Sequence, residues 1–571
     1  MTQYQQGVSR RQFLAGVGVA GIAAAAGMAS CAPSAPSESL SSTSGSSGNG
    51  GTTTVKHSWE AKPEPIADIA ETVDADIVVV GAGMAGLNTA AAAALNGAKV
   101  VVLERSNTYS VRGADNGAVG SKFQKEHGMD IDPTELLKYA SQWSKMLINE
   151  NLYKLWIYRS GAVFDEVIDL LEANGAEVVP GVGSRGDLED AELFFRQYPT
   201  AHSWKPAGAA EASMNLEDGR AANDLLGSAF LKQAEEAGAQ FVFNTCAEQL
   251  VQDDSGRVVG VIAKGEDDAY RQYNAGKGVV LCTGDIGGNE EMVETFSPVS
   301  LRSDGIFYMP DGCNDALGHQ MALWCGADFQ HGPAAPMTHA VAGPGQVLSC
   351  QDIGWLMVNR DGRRFVDETP NEISNSNGMM MQPGAIAWSI FDDDYEAKVL
   401  DMLGTNRSNK GIIVDENTPA AIEAGVEEGV MWKADTLEDL AVQLGIKDTD
   451  TFLATVERYN MLCAEGHDRD FGKEDKWMKS SIVTPPFYAT KVTAITMTIQ
   501  FGLNCNDQLQ VCDADDSPIA GLYAAGNTCG NFFACDYPLL TPGISHGRAI
   551  TFGRVLGEAL AKGEKITFEE A

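Results

Sequence analysis

Three glycines, Gly81, Gly83 and Gly86, stand in GxGxxG spacing, and an acid, Glu104, follows 18 residues after the last of them. Residues of these types at this spacing bind a dinucleotide. Gly81 permits a tight turn, Gly83 lets the main chain approach a pyrophosphate, and Gly86 lets a helix pack close to a strand. A carboxylate at Glu104 accepts hydrogen bonds from an adenosine ribose. The elements that position them flank the motif. Ile77–Val80 is an apolar, mostly β-branched run and predicts a buried parallel strand. An Ala-rich helix with Ala85 in its first turn comes next, then a second apolar run, Val100–Leu103, that ends at Glu104. The helix N-terminus presents unpaired N–H groups and a positive dipole end to the phosphates. This βαβ unit alone does not distinguish FAD from NAD.

Farther along, Arg105–Lys122 is a loop rich in small residues (Gly113, Gly117, Ala118, Gly120), which let a backbone lie against a flat ring system. Residues 132–175 predict two amphipathic helices, the second, Leu152–Asn174, stopping at Gly175. A helix at Ala222–Ala237, a strand at Gln240–Asn244 and a hairpin over 247–263, starting at Ala247 and turning at Asp254-Ser255-Gly256, come next. A buried strand, Gly278–Leu281, runs into Thr283-Gly284. Val358–Glu368 reads as a strand pair turning at Asp361-Gly362, and acidic helices cover Leu437–Leu444 and Thr449–Leu462. Near the end a strand runs into Gly526-Asn527, and Thr551-Phe552-Gly553-Arg554 leads a final helix. The fold class expected is α/β: a Rossmann-like domain with a parallel sheet over 72–333 and 496–571, and an inserted α+β capping domain over 334–495.

With 571 residues the chain is too long for one core, and a net charge of −37 argues against nucleic-acid binding. Ser9-Arg10-Arg11-Gln12-Phe13-Leu14 before the short apolar stretch Ala15–Ala29 matches a twin-arginine export signal over 1–31. Met28-Ala29-Ser30-Cys31 resembles a lipobox, which would make Cys31 a lipid anchor, and 32–71 reads as a tether, Ser/Gly/Pro-rich up to Thr54. The alternative is plain cleavage of the signal. None of the ten cysteines beyond Cys31 forms a CxxC pair or a zinc-spaced cluster, so they read as buried free thiols and no metal ligand is assigned.

The first βαβ, the stretch Asn359–Glu368 (NRDGRRFVDE) and Gly521–Asn527 (GLYAAGN) followed by Thr551–Arg554 (TFGR) occur in one order. In that order the chain resembles the FAD-dependent fumarate reductase and 3-ketosteroid dehydrogenase superfamily over roughly Asp74–Leu560. The resemblance implies FAD. It places the adenosine on Gly81, Gly83, Ala85, Gly86, Glu104 and Arg105, with Ala247 and Thr283-Gly284 on the adenine side. Gly113, Gly117 and Ala118 would lie along the pyrophosphate and flavin, Gly526-Asn527 by the ribityl chain, and Gly543 with the N-terminus of the last helix (Ile544, Ser545) at flavin N1/O2. The family's Gly-Asp-Gly is only half present, with Leu317 at the Asp position.

The substrate side departs from the fumarate reductases. Their Arg proton donor falls at Glu372, their substrate-clamping Arg near Leu540, and their His-His pair near Thr498-Ile499-Gln500. A dicarboxylate needs cationic partners, so the resemblance argues against fumarate. The ketosteroid dehydrogenases have a similar terminal loop, which points to Tyr537 and Gly543 as the pair that polarises a carbonyl oxygen, although the spacing is longer here. Arg548, His546 and Glu372 are further candidates for proton transfer, with structural pairing the favoured alternative for Arg548; His319 and His339 read as structural. The expected activity is reduction of an activated C=C bond, in an exported enzyme fed by a separate membrane donor, a cytochrome or an FMN-bearing protein. The alternatives are a ketosteroid-type dehydrogenase and a flavin-holding lipoprotein without catalysis.

Overall fold

Ile77–Val80 is almost completely buried and forms the end of a ten-residue strand, β1 (Glu71–Val80). In a computed structural model of the protein, described for residues 56–181, 197–210, 212, 216, 220–306, 312–340, 348, 353–370, 372–408 and 411–567, β1 is the centre of the main sheet. It leads through Gly83 into α1 (Met84–Leu95) and on to β2 (Val100–Leu103). β2 pairs in parallel with β1, and β3 (Gln240–Val242) pairs in parallel with β2. On the other side of β1 runs β4 (Tyr270–Leu281), parallel to it in two registers separated by a shift between Ala75 and Ile77. Burial of each Val or Ile of such a strand contributes about 1.5–3 kcal/mol, so this run of β-branched residues fixes the register.

β5 (Ala494–Gln500) lies in a separate three-stranded sheet with Ala335–Ala340 and Gly305–Ile306. β6 (Pro518–Ala524) returns to the main sheet parallel to β4, and the chain ends in α2 (Ile544–Lys562). α2 packs on α1 through glycines: a Cβ at Gly553 would stand 2.6 Å from the Ala85 carbonyl oxygen, and one at Gly557 2.4 Å from that of Thr89.

The inserted segment has its own four-stranded antiparallel sheet, in the order Leu356–Asn359, Ala387–Asp392, Phe487–Val492, Met431–Ala434, with helices Leu437–Leu444 and Thr449–Glu465. It encloses separate apolar clusters, one around Phe452, Tyr459 and Leu462 and another around Trp355, Phe391 and Tyr488.

Three sequence expectations change. The final helix starts at Ile544, where the resemblance put it, so Thr551–Arg554 lies inside it and not at its head as the chain pattern alone suggested. Residues 56–70 are not free tether: Trp59 is buried, and Ile66 N–H donates to the Gln249 side chain. The strand pair at Asp361-Gly362 is a tight turn with one bridge, Val358 to Arg364, because Leu356–Asn359 pairs instead with Ala387–Asp392. The signal, Cys31 and the tether up to residue 55 lie outside the described residues. No described helix is long and apolar enough to cross a membrane.

Candidate active site

The C-terminal ends of β1, β4 and β6 converge, the place where open α/β sheets bind ligands. Gly81 (φ 100°) leaves β1 so close to β4 that a Cβ would stand 2.5 Å from the Cys282 carbonyl oxygen. A Cβ at Gly86 would stand 1.9 Å from the Gly81 carbonyl oxygen, so only glycine lets α1 begin there. Gly83, the residue preceding α1, differs: its nearest neighbour would be the Ser110 carbonyl oxygen at 3.6 Å, which leaves the helix start approachable. Glu104 is 8% exposed, and its carboxylate is fixed by the N–H groups of Ala82 (2.7 Å) and Ser106 (2.8 Å). The acid is thereby locked beside the glycine turn.

Thr283 and Gly526 meet beyond the strand ends. The Thr283 N–H donates to Thr528 Oγ1 (2.9 Å), whose hydroxyl donates to the Gly284 carbonyl (3.0 Å). Gly526 (φ 66°) lies 3.0 Å, measured from its Cβ position, from the Ala85 side chain. Ala247 is buried in the strand Cys246–Gln252.

The second half of the site is built on the start of α2. Gly543 (φ 77°) accepts the Gly117 N–H at 2.7 Å, and a Cβ at Gly547 would stand 1.7 Å from the Gly117 carbonyl oxygen. Asn116–Gly117 is a short strand pairing with Ala201–Pro206, and Ala118 is fully buried behind it. Gly113 (φ 71°) passes 2.8 Å, from its Cβ position, from His546 Cε1. No acidic residue occupies the first turn of α2, so its positive end is uncompensated from within.

Tyr537 closes this region. Its hydroxyl accepts the Ser545 N–H at 3.3 Å, which leaves the phenolic proton available to another acceptor, and its ring stacks on Phe533 at 5.4 Å. Burial pushes its pKa up to about 12. A phenol of that pKa stays neutral, a lasting hydrogen-bond donor and a poor proton donor. The Gly543 N–H has no acceptor among the described residues.

A buried polar network lies behind this surface. Asp285, fully buried, accepts from the Thr498 hydroxyl, Asn314 Nδ2 (3.0 Å) and the Gly287 N–H (2.9 Å). Asn527 Nδ2 donates to Thr498 Oγ1 (3.0 Å), and Asn527 Oδ1 accepts from Arg548 (2.7 Å). Gln500 donates to Ser545 Oγ (3.2 Å). Thr498 and Gln500, near which the resemblance places the histidine pair of the fumarate reductases, are both neutral.

Several expectations need adjustment. Arg105, expected at the cofactor, is held in a two-pronged pair by Asp315 (2.9 and 3.0 Å). Asp315 also receives the Leu317 N–H at 3.1 Å, which gives the half-present Gly-Asp-Gly motif a different use. The Asn527 side chain is turned to Arg548 and Thr498. Arg548 is 1% exposed, sits one layer inside and donates to Asn527 and Gln500, the kind of pairing that was the alternative to a part in proton transfer. Glu372 opens the helix Glu372–Met380, and its side chain lies outside the described residues. His319 is fully buried, and burial pushes its pKa down to about 4. His546 Nδ1 lies 3.0 Å from the Asp115 carbonyl oxygen, and burial lowers its pKa too. Nine described cysteines are free, five of them buried.

Asp536, beside Tyr537, was not legible in the sequence. Its carboxylate accepts the Tyr537 N–H at 2.9 Å, and burial raises its pKa from 3.8 to about 6. A carboxyl harder to ionise in the folded than in the unfolded chain favours folding below its unfolded pKa, and that advantage is lost as pH rises through the folded one. Asp536→Asn should therefore leave stability unchanged near pH 3.5 and raise it progressively up to about pH 7. The gain, of order 3 kcal/mol at ~1.4 kcal/mol per pKa unit, is read by urea unfolding at each pH.

Residues 76–539 match the family model described as FAD binding domain. A probable fumarate reductase of Shewanella frigidimarina is 27% identical, the alignment covering 89% of this chain and 82% of the relative. A vinyl phenol reductase of Lactiplantibacillus plantarum is 26% identical, with 85% and 96% covered. The solved open conformation of a flavocytochrome c3 fumarate reductase superposes with a TM-score of 0.60 at 26% identity, with 89% and 82% covered. The geometry fits FAD: an approachable helix start at Gly83, a fixed ribose acceptor at Glu104, and a second helix start, at Gly543–Ser545, packed on Gly117. The chain belongs to the FAD binding domain family and is an FAD-dependent oxidoreductase.

Proposed function

We propose that the protein reduces an activated C=C bond, an α,β-unsaturated carbonyl other than fumarate. The observation that carries this reading is Tyr537: a neutral phenol whose lone pair is engaged by Ser545 N–H and whose proton is free to be donated. Two of the relatives described above are named for reduction of fumarate and of vinyl phenol. Bound FAD supplies the chemistry of hydride exchange at carbon. Gly81, Gly83 and Glu104 would hold its adenosine half, and Gly117 with Gly543–Ser545 its ring. Tyr537 and the Gly543 N–H then stabilise the negative charge that develops on the carbonyl oxygen, where placed donors contribute most. Asp536, neutral below about pH 6, is a nearby source for the proton that the α-carbon takes up, a task for which the Tyr537 phenol is too weak an acid. Thr498 and Gln500 are neutral and spend their hydrogen bonds within the buried network, so neither clamps a substrate carboxylate, which suits a neutral or singly charged substrate.

The same Tyr537 and Gly543 also suit the reverse reaction, dehydrogenation of a saturated ketone as in the ketosteroid dehydrogenases. The twin-arginine pattern at Ser9–Leu14 and the lipobox-like Cys31 support an exported, lipid-anchored enzyme, supplied with electrons by a separate cytochrome or FMN-bearing protein. The discriminating experiment compares anaerobic turnover of enones and enoates driven by reduced viologen with turnover of the saturated ketones driven by an artificial acceptor. Faster alkene reduction is expected. Faster dehydrogenation would reverse the assignment, and a preference for fumarate would overturn the substrate class.

A further inference from the structure

Arg548 carries a buried positive charge with no acid beside it. Its guanidinium is 1% exposed and donates only to neutral acceptors: Asn527 Oδ1 at 2.7 Å, Gln500 Oε1 at 3.4 Å and the Cys529 carbonyl at 3.4 Å. Its Nε has no acceptor among the described residues. The faces of Phe533 and Phe532 lie 4.7 and 5.2 Å from its central carbon. By contrast, Arg105 is neutralised by Asp315, and Arg364 by Glu368 and Asp468. For Arg548 no carboxylate stands within ion-pair reach among the described residues. Asp285 is reached only through Asn527 and Thr498, and it already accepts from Thr498, Asn314 and the Gly287 N–H.

Removing a charge from water without a partner is costly, and a low-dielectric surrounding extends its field. Arg548 lies three positions after Ser545 on α2, hence on the same helical face. Asn527 and Gln500 tie it to Ser545. Ser545 belongs to the helix start that, on the reading given above, supports the flavin ring.

We propose that Arg548 is a positioning residue for charge. Clamped behind the flavin platform by Asn527 and Gln500, it favours the negative charge that the ring acquires on reduction and so raises the cofactor's reduction potential. It adds to the positive end of α2 without touching ring or substrate, which separates it from Tyr537.

The test uses purified FAD-loaded protein and its R548M and R548K variants, with two readouts independent of substrate turnover: the two-electron midpoint potential, and the affinity of the oxidised flavin for sulfite, whose adduct also places negative charge on the ring. R548M is expected to weaken the preference for the reduced form at least tenfold, about 30 mV for a two-electron couple, and to weaken sulfite binding at least tenfold. R548K, which keeps the charge, should stay within threefold of the parent in both. An FAD-loaded R548M with unchanged potential and sulfite affinity would overturn the proposal, as would equal shifts in R548K and R548M, which would mark a packing effect. Should R548M not fold, R548Q is read in the same way. Failure of the parent protein itself to bind FAD would overturn the cofactor placement as well, and is distinguished by the flavin spectrum of the purified chain.

Discussion

Tyr537→Phe is expected to slow reduction of an enone by roughly 10²–10³-fold, the usual effect of removing one donor aimed at a developing oxyanion. The substitution deletes one hydroxyl and keeps the ring that stacks on Phe533. FAD content and thermal stability should therefore stay near those of the parent. The lost hydroxyl accepts only the Ser545 N–H among the described residues, at a long 3.3 Å. Reduction of the flavin by viologen should be unaffected, because that step places no charge on a carbonyl. Stopped-flow measurement of the two half-reactions checks the split. Equal slowing of both, or a loss confined to KM, would show that Tyr537 is a packing residue.

Gly547→Ala is expected to have the largest effect on the holoprotein. The new Cβ would stand 1.7 Å from the Gly117 carbonyl oxygen and 2.7 Å from its nitrogen, both backbone atoms. Neither can retreat freely: the Gly117 N–H is bonded to Gly543, and the Gly117 carbonyl accepts Trp156 Nε1 at 3.1 Å. Overpacking of this kind costs about 1–3 kcal/mol and sometimes more. Relief requires α2 to part from Asn116–Gly117, the two elements proposed to support the flavin ring. A fall in melting temperature with a protein-to-FAD ratio well above that of the parent is the expected result. Gly305→Ala, where a Cβ meets nothing within 4 Å, is the control. A Gly547→Ala protein that retains full FAD would mean that α2 and Gly117 are not the ring's support.

The parts of the site legible in the sequence are those written in short-range pattern. Gly81, Gly83, Gly86 and Glu104 were readable because a strand, a turn and a helix each leave a local periodicity. Gly543 and Tyr537 were legible only through family resemblance, since a left-handed glycine and an aromatic residue carry no periodicity of their own. The start of α2 was misplaced from the chain pattern alone because Gly543, Ser545, His546 and Gly547 read as loop, whereas the apolar Ile550–Phe552 reads as helix. The Asp285–Thr498–Asn527–Arg548 network was invisible. Its links span up to 242 positions, and two of its four members, Thr498 and Asn527, are neutral side chains that any surface loop could carry. Asp536 was missed for a related reason: its raised pKa comes from burial by surrounding chain, which no neighbour in sequence announces. Trp59 likewise sits in a polar lead-in, and only the tertiary structure shows it buried.

The most direct measurement is anaerobic mixing of the photoreduced, FAD-loaded protein with a panel of enones and enoates, following the flavin spectrum and the organic product together. At least one neutral or singly charged enone should reoxidise the flavin with one equivalent of saturated product, and fumarate should do so far more slowly. Reoxidation by an artificial acceptor but by no member of the panel would contradict the proposed activity.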